Sequence, residues 1–167
     1  MQPPPLLPEK TLARVERVGR LHGGCVLYVA GVFALLSAVQ GDKLGAVTGL
    51  WVAGAGAIEH HGAMLLAHRE PRGLRWLVGS QLFLFAAITT YCVLRLNRFE
   101  LPPIPDEIRP MLEAGAAQLG LGPEEYLTRA YRLGLQLVLV LSVFYQGGLG
   151  LYYFVKRRVI AQALAPE

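Results

Sequence analysis

Four apolar runs, separated by two short polar turns and one long loop, dominate the pattern of hydrophobic and polar positions. They cover residues 23–40, 44–67, 76–94 and 133–155. Each is close to the roughly 20 residues that an α-helix needs to cross a hydrocarbon core about 30 Å thick. The pattern therefore predicts an all-α fold, an integral membrane four-helix bundle.

The loop at residues 95–132 carries a helical pattern of its own. Asp106 is placed to cap a helix whose apolar stripe runs from Ile108 to Leu119. Residues 120–123 break that helix, and a second short helix then leads into the fourth span. We expect a short helical cap packed on the bundle mouth, and the alternative is a gate or a docking surface for a partner.

The two ends of the chain differ from the apolar runs. Within residues 1–22, a proline-rich tail precedes a segment from Glu9 to Leu21 in which apolar positions recur every third residue among basic ones. This segment predicts either an interfacial amphipathic helix or the wet end of the first span, and an anionic-lipid sensor is the minority interpretation. Residues 156–167 form a basic C-terminal tail.

Charge indicates a membrane location and an orientation within it. Only 17% of the residues are charged, against about 25% in a typical soluble domain. The Lys and Arg residues lie at the ends of the apolar runs, which argues against nucleic acid despite the net charge of +4. Ten of the 16 Lys and Arg residues flank the two termini and the second turn, so we predict that both termini are cytoplasmic (N-in, C-in). The predicted location is the cell membrane, which is the inner membrane if the source is bacterial.

The second apolar run has a ridge of small residues spaced by four, formed by Gly45, Gly49, Ala53 and Ala57. Such ridges let helix backbones approach closely, and close approach is a main source of packing energy in lipid. The ridge predicts a tightly packed helix. It leaves open whether the partner helix belongs to the same chain, to a second copy in a homo-oligomer or to another membrane subunit.

Three ionisable residues interrupt the same run: Glu59, His60 and His61. Glu59 stands ten residues before Arg69, about 15 Å of helix rise, which is too deep for easy snorkelling. An unpaired charge there costs about 2.5–3.5 kcal/mol, so the carboxyl group must face the bundle interior, be protonated or be paired. Glu59 and His61 point to nearly opposite sides, so the three residues do not form a metal site.

The other runs contribute polar groups that can converge on Glu59 and His60. They are Tyr28, Gln81, Tyr145 and Gln146. Interhelical hydrogen bonding that fixes the bundle is the first interpretation, a proton- or ion-handling site the second, and a ligand site for a quinone, lipid or haem the third. Pairing His22 with His61 or His68 for haem is unpersuasive, so no cofactor is assigned.

Three functions of different classes follow from these features. The leading hypothesis is a homo-oligomeric ion or proton channel or transporter with an intramembrane Glu-His site. The alternative is an accessory or assembly subunit of a larger respiratory or transport complex, without catalysis of its own. The third is an enzyme or redox subunit that holds a quinone or haem near these polar groups. No catalytic motif is present, so the sequence favours a protein that is not an enzyme.

Overall fold

The computed structural model describes residues 7–97 and 108–165, and within them the secondary structure is entirely α-helical. The prediction of an all-α chain is confirmed. The five helices are α1 (Pro8–Val39), α2 (Lys43–Ala67), α3 (Gly73–Asn97), α4 (Arg109–Gln118) and α5 (Pro123–Leu164).

Three of the five helices in the described part of the chain, α1, α3 and α5, are long and apolar enough to cross a membrane. This supports a membrane location. The second helix has 25 residues but falls outside that group, because Glu59, His60, His61 and its many glycines lower its mean hydropathy. The four-span count and the N-in, C-in orientation therefore stay predictions.

The first and last helices are longer than the apolar runs within them. The basic segment from Glu9 to Leu21 is the first half of α1, continuous with the apolar half. The last helix continues through the basic triplet at residues 156–158 and ends at Leu164. Most of the proline-rich tail, residues 1–6, lies outside the described residues.

The contacts divide the chain into two compact units, residues 1–91 with 142–167, and residues 92–141. In the first unit, α1 and α2 form an antiparallel hairpin. The turn uses Gly41 at a φ of +75°, and the Asp42 side chain accepts a hydrogen bond of 3.0 Å from the backbone N–H of Gly45. This N-cap satisfies one of the otherwise unpaired donors at the start of α2.

The core of this first unit lies at the end of the helices that carries the basic flanks. Four helices contribute to it, with buried Leu12, Val15, Ala63, Leu66, Leu77, Tyr153, Ile160 and Ala163. Nη1 of Arg69, just after α2, donates a hydrogen bond of 2.8 Å to the backbone oxygen of Ala163. A cation there satisfies a carbonyl at the C-terminus of α5, and it ties the end of α5 to the end of α2.

The second unit contains α4 and the helical segments on either side of it. Pro110 lies in the first turn of α4, where its missing N–H removes no intrahelical hydrogen bond. Leu112 and Ala116 are buried, and a Cβ added at Gly115 would lie 3.4 Å from Oη of Tyr126. The loop helix expected near residues 108–119 is present, whereas the proposed cap Asp106 lies outside the described residues.

Candidate functional site

Glu59 is buried in the first unit, with 1% of its surface exposed, and both of its carboxyl oxygens have partners. Oε2 lies 2.6 Å from Nδ1 of His22 on α1. Oε1 accepts a hydrogen bond of 2.8 Å from Oη of Tyr153 on α5. These three residues, the Glu59 cluster, join three helices at one point.

Glycines on α1 create the space for this cluster. A Cβ added at Gly23, the residue after His22, would lie 2.7 Å from the backbone nitrogen of His60 and 3.1 Å from Cβ of Glu59. One turn earlier, a Cβ at Gly19 would lie 2.8 Å from Cδ2 of Leu77. The 2.7 Å distance at Gly23 is to backbone and is shorter than any real Cβ contact, so glycine is required there, whereas at Gly19 the Leu77 side chain would have to shift.

The cluster can bury a carboxyl group without burying a net charge. The proton shared by His22 and Glu59 can lie on either residue, giving an imidazolium–carboxylate pair or an imidazole–carboxylic acid pair, both neutral overall. Tyr153 donates to Glu59 in either form. Hydrogen bonds to a charged group contribute about 1.5–3 kcal/mol each, enough to offset the insertion penalty of the carboxylate. Arrival of one more proton makes the cluster cationic.

His22 is the member of the cluster that reaches outward. Its side chain is 14% exposed, and its ring lies 5.4 Å from the ring of Tyr145, which is itself largely exposed. Nδ1 of the half-buried His60 donates a hydrogen bond of 3.3 Å to the backbone oxygen of Arg20. The cluster therefore reaches the protein surface at His22.

The remaining predicted site residues lie elsewhere. His61 is exposed, with its ring edge-on to Trp76 at 5.7 Å, and Tyr28 is 74% exposed. Gln81 and Gln146 are buried at 2% and 7% exposure and line a cavity of about 410 Å³ that Glu59 does not line. Their Oε1 atoms have no hydrogen-bond partner among the described residues. The structure thus places only His60 and Tyr145 beside the Glu59 cluster.

The small-residue ridge of α2 packs in part against α1. A Cβ added at Gly49 would lie 2.8 Å from Cα of Ala34, and Ala53 is also buried. Gly45 is buried as well, beside Ser37 of α1, whereas Ala57 is exposed. In place of Ala57, Gly56 makes the close approach, since a Cβ there would lie 2.5 Å from the backbone nitrogen of Leu27.

Two members of the cluster, His22 and Tyr153, are absent from the set that the sequence suggested. The hairpin register would have found His22. In an antiparallel hairpin with a short turn, residues at similar distances before and after the turn face each other. Ala34 and Gly49, eight residues before and seven after Asp42, obey this rule. It places His22 opposite His61, one residue from His60 and two from Glu59.

Comparison of the chain with models of protein families, with curated proteins and with solved structures found no match. Within residues 7–97 and 108–165, no group of three or more His, Cys, Asp and Glu side chains is placed to hold a metal ion. The Glu59 cluster is therefore the feature of the molecule that bears on its function.

Proposed function

We propose that the chain is a multi-pass membrane protein of four spanning helices that binds and releases a proton at the Glu59 cluster. The observation that carries the proposal is a carboxyl group with 1% exposure bonded at 2.6 Å to an imidazole that is 14% exposed. A carboxylate beside an imidazole inside a membrane bundle is the usual composition of a proton relay.

In this proposal α2 also spans the membrane, in addition to α1, α3 and α5. It lies antiparallel to α1, with contacts that extend from Gly45 beside Ser37 to Ala63 beside Gly19. Its 25 residues rise about 37 Å, enough to cross a hydrocarbon core. Its low mean hydropathy is compatible with spanning, because Glu59 is paired and shielded by α1 and α5. The basic ends then favour N-in, C-in.

Proton exchange from one side fits the geometry better than conduction through a single chain. The cluster reaches the surface through His22, which follows the basic segment of α1. Toward the opposite end, the contact between α1 and α2 is closed by backbone approach at Gly56 and at Gly49. The predicted homo-oligomeric channel or transporter would need its path between copies of the chain, and that assembly stays a prediction.

Infrared difference spectroscopy between acidic and alkaline pH tests the proposal on the full chain in lipid nanodiscs. In addition to the bands of the other Asp and Glu side chains, we expect one separate pair of carboxyl and carboxylate bands that Glu59→Gln abolishes. Glu16→Gln is the matched control, because Glu16 also pairs with a basic residue, Arg20, at the same end of α1 but outside the cluster. That variant should keep the bands.

A second variant keeps the test decisive if Glu59→Gln does not fold. Tyr153→Phe removes the hydrogen bond to Oε1 while leaving Glu59 ionisable, so the bands should remain and shift in frequency. Bands that persist unchanged in Glu59→Gln, or that do not shift in Tyr153→Phe, would contradict the proposal.

An accessory subunit of a larger membrane complex is the second candidate function. It is favoured by the surface of α5, because only 17% of its most apolar 18-residue stretch is buried, against 33% for α3. Native mass spectrometry after gentle extraction separates the candidates. A stoichiometric complex with other chains supports the accessory function, whereas a monomer or a closed homo-oligomer supports a protein that acts without them.

A further inference from the structure

A groove between α3 and α5 in the first unit is unrelated to the Glu59 cluster. It consists of two neighbouring cavities, of about 410 and 510 Å³, that share Val78, Leu82 and Phe154 in their walls. We call the two cavities together the α3–α5 groove. Its walls are mostly apolar, and its outer cavity is bordered by Arg75 and Arg157.

The two arginines give the groove a cationic mouth. Both side chains are exposed, and the guanidinium carbon of Arg157 lies 3.8 Å from the ring centroid of Phe154. Neither arginine forms an ion pair with a carboxylate of the described residues. The nearby Glu70 is engaged by Arg72 at 2.6 Å. The positive charges of Arg75 and Arg157 can therefore bind an anion from outside the chain.

Apart from Gln81 and Gln146, the inner part of the groove is lined by apolar side chains and glycines, as a hydrocarbon chain requires. Gly147 lines it, Gly79 lines the outer cavity, and a Cβ added at either would meet nothing within 4 Å. From Arg75 the walls continue along α3 to Phe85, ten residues or about 15 Å of helix rise. Trp76, at the level of the mouth, is half exposed, as expected of a residue at the membrane–water interface.

We propose that the α3–α5 groove binds one anionic phospholipid. Its phosphate lies between Arg75 and Arg157, and an acyl chain lies along Val78 and Leu82. A cationic mouth selects anionic over zwitterionic head groups, and basic pockets between membrane helices on the cytoplasmic side are a recurrent form of lipid recognition. The inference depends on the membrane location of the chain and not on proton binding at Glu59.

Lipid retention measured by native mass spectrometry tests the site. The full chain is released from nanodiscs of equal parts phosphatidylglycerol and phosphatidylcholine. We expect one retained phosphatidylglycerol in preference to phosphatidylcholine. Arg75→Gln and Arg157→Gln should each reduce that preference about fivefold, in line with the contribution of one basic residue near an anionic surface.

Controls of equal charge distinguish a site from a generally basic surface. Arg17→Gln and Arg158→Gln remove the same charge from the basic end of α1 and α5, but neither residue lines the groove. Both variants should keep the preference. The proposal would be overturned if the control variants lost as much preference for phosphatidylglycerol as the groove variants. It would also be overturned if the double variant, Arg75→Gln with Arg157→Gln, kept the preference of the wild type.

A steric variant tests the acyl-chain part of the site without altering charge. Gly79→Leu adds a bulky side chain to the wall of the outer cavity, and Gly31→Leu adds the same side chain on α1, where the space is also open. We expect lost retention in Gly79→Leu alone, and retention in both variants would contradict the proposal. Glu59→Gln should retain the lipid, so failure of the proton proposal and failure of this one give different results.

Discussion

The contact between α1 and α2 and the face shared by α3 and α5 are both rich in glycine, but they use it differently. Gly23, Gly49 and Gly56 each lie where an added Cβ would meet the backbone of the other helix within 3 Å. Gly79 and Gly147 have open space there. Glycine lowers helix stability by about 1 kcal/mol relative to alanine. Of these two regions, the α1–α2 contact recovers that loss by packing at Gly23, Gly49 and Gly56.

Polar groups divide between the two regions in the same way. Both oxygens of Glu59 are bonded, whereas Oε1 of Gln81 and Oε1 of Gln146 have no partner among the described residues. The α1–α2 contact, extended by Tyr153, is therefore complete in itself. The α3–α5 face is incomplete, which is the expected property of a surface that contacts something outside the chain.

The largest expected loss of stability is at His22, the histidine that is bonded to Glu59. His22→Ala leaves the carboxyl group of Glu59 buried with one partner fewer, and breaking a buried pair costs about 3–5 kcal/mol. His60→Ala is the matched control, because His60 is only half-buried and makes one long hydrogen bond. Unfolding in mixed detergent micelles should show a large loss of stability for His22→Ala and a small one for His60→Ala. Equal losses of stability would mean that the contact between His22 and Glu59 contributes no more than the single hydrogen bond of His60.

The next effect concerns glycine within the α1–α2 contact. Gly56→Ala places a methyl group 2.5 Å from the backbone nitrogen of Leu27, so α1 must shift. Overpacking of this kind costs about 1–3 kcal/mol. Gly54→Ala, on the same helix, meets its nearest neighbour only at 3.9 Å and should be neutral or stabilising. The same unfolding assay compares the two variants, and a Gly56→Ala protein as stable as the wild type would refute the close contact.

The all-α fold follows from the apolar runs, and the identity of Glu59 as the central polar residue follows from its depth. The position of Tyr153 does not follow, because the basic triplet at residues 156–158 suggests the end of the last helix. In the structure α5 continues to Leu164, and Arg69 bonds to Ala163. Tyr153 stands ten residues before Ala163, as Glu59 stands ten before Arg69, so the two residues share a depth.

The small-residue ridge shows a second limit of spacing arguments. A strict interval of four predicts Ala57, but the contact passes to Gly56 because a helix has 3.6 residues per turn. Spacing also leaves the partner open. The structure shows that α1 of the same chain covers Gly45 and Gly49, so this part of the ridge is not free for another subunit.

A smaller effect is expected at the incomplete face. Gln146→Leu removes a buried acceptor that has no partner among the described residues, which should raise the free energy of unfolding by about 1 kcal/mol. Glu59→Leu, the corresponding change in the α1–α2 region, should instead lower it, because His22 and Tyr153 would lose their partner. A destabilised Gln146→Leu protein would show that the amide oxygen is bonded in the membrane.

The smallest effect comes from a glycine of α5. Gly148→Ala adds a methyl group with nothing within 4 Å and should stabilise the monomer by up to about 1 kcal/mol through helix propensity. The change in the free energy of unfolding should be measured on the monomer and on any larger species, because its sign distinguishes two kinds of surface. A gain in both identifies a face covered by lipid, and a loss confined to the larger species identifies a helix of another chain packed on Gly148.

A double-mutant cycle between His22 and Glu59 tests the central claim, that these residues act as one buried unit, most directly. The free energy of unfolding is measured for the wild type, His22→Ala, Glu59→Gln and the double variant. Residues in direct contact show coupling of about 0.5–3 kcal/mol, and we expect a value in the upper part of that range. Additivity within about 0.5 kcal/mol would contradict the account, because it would mean that the two side chains stabilise the bundle independently.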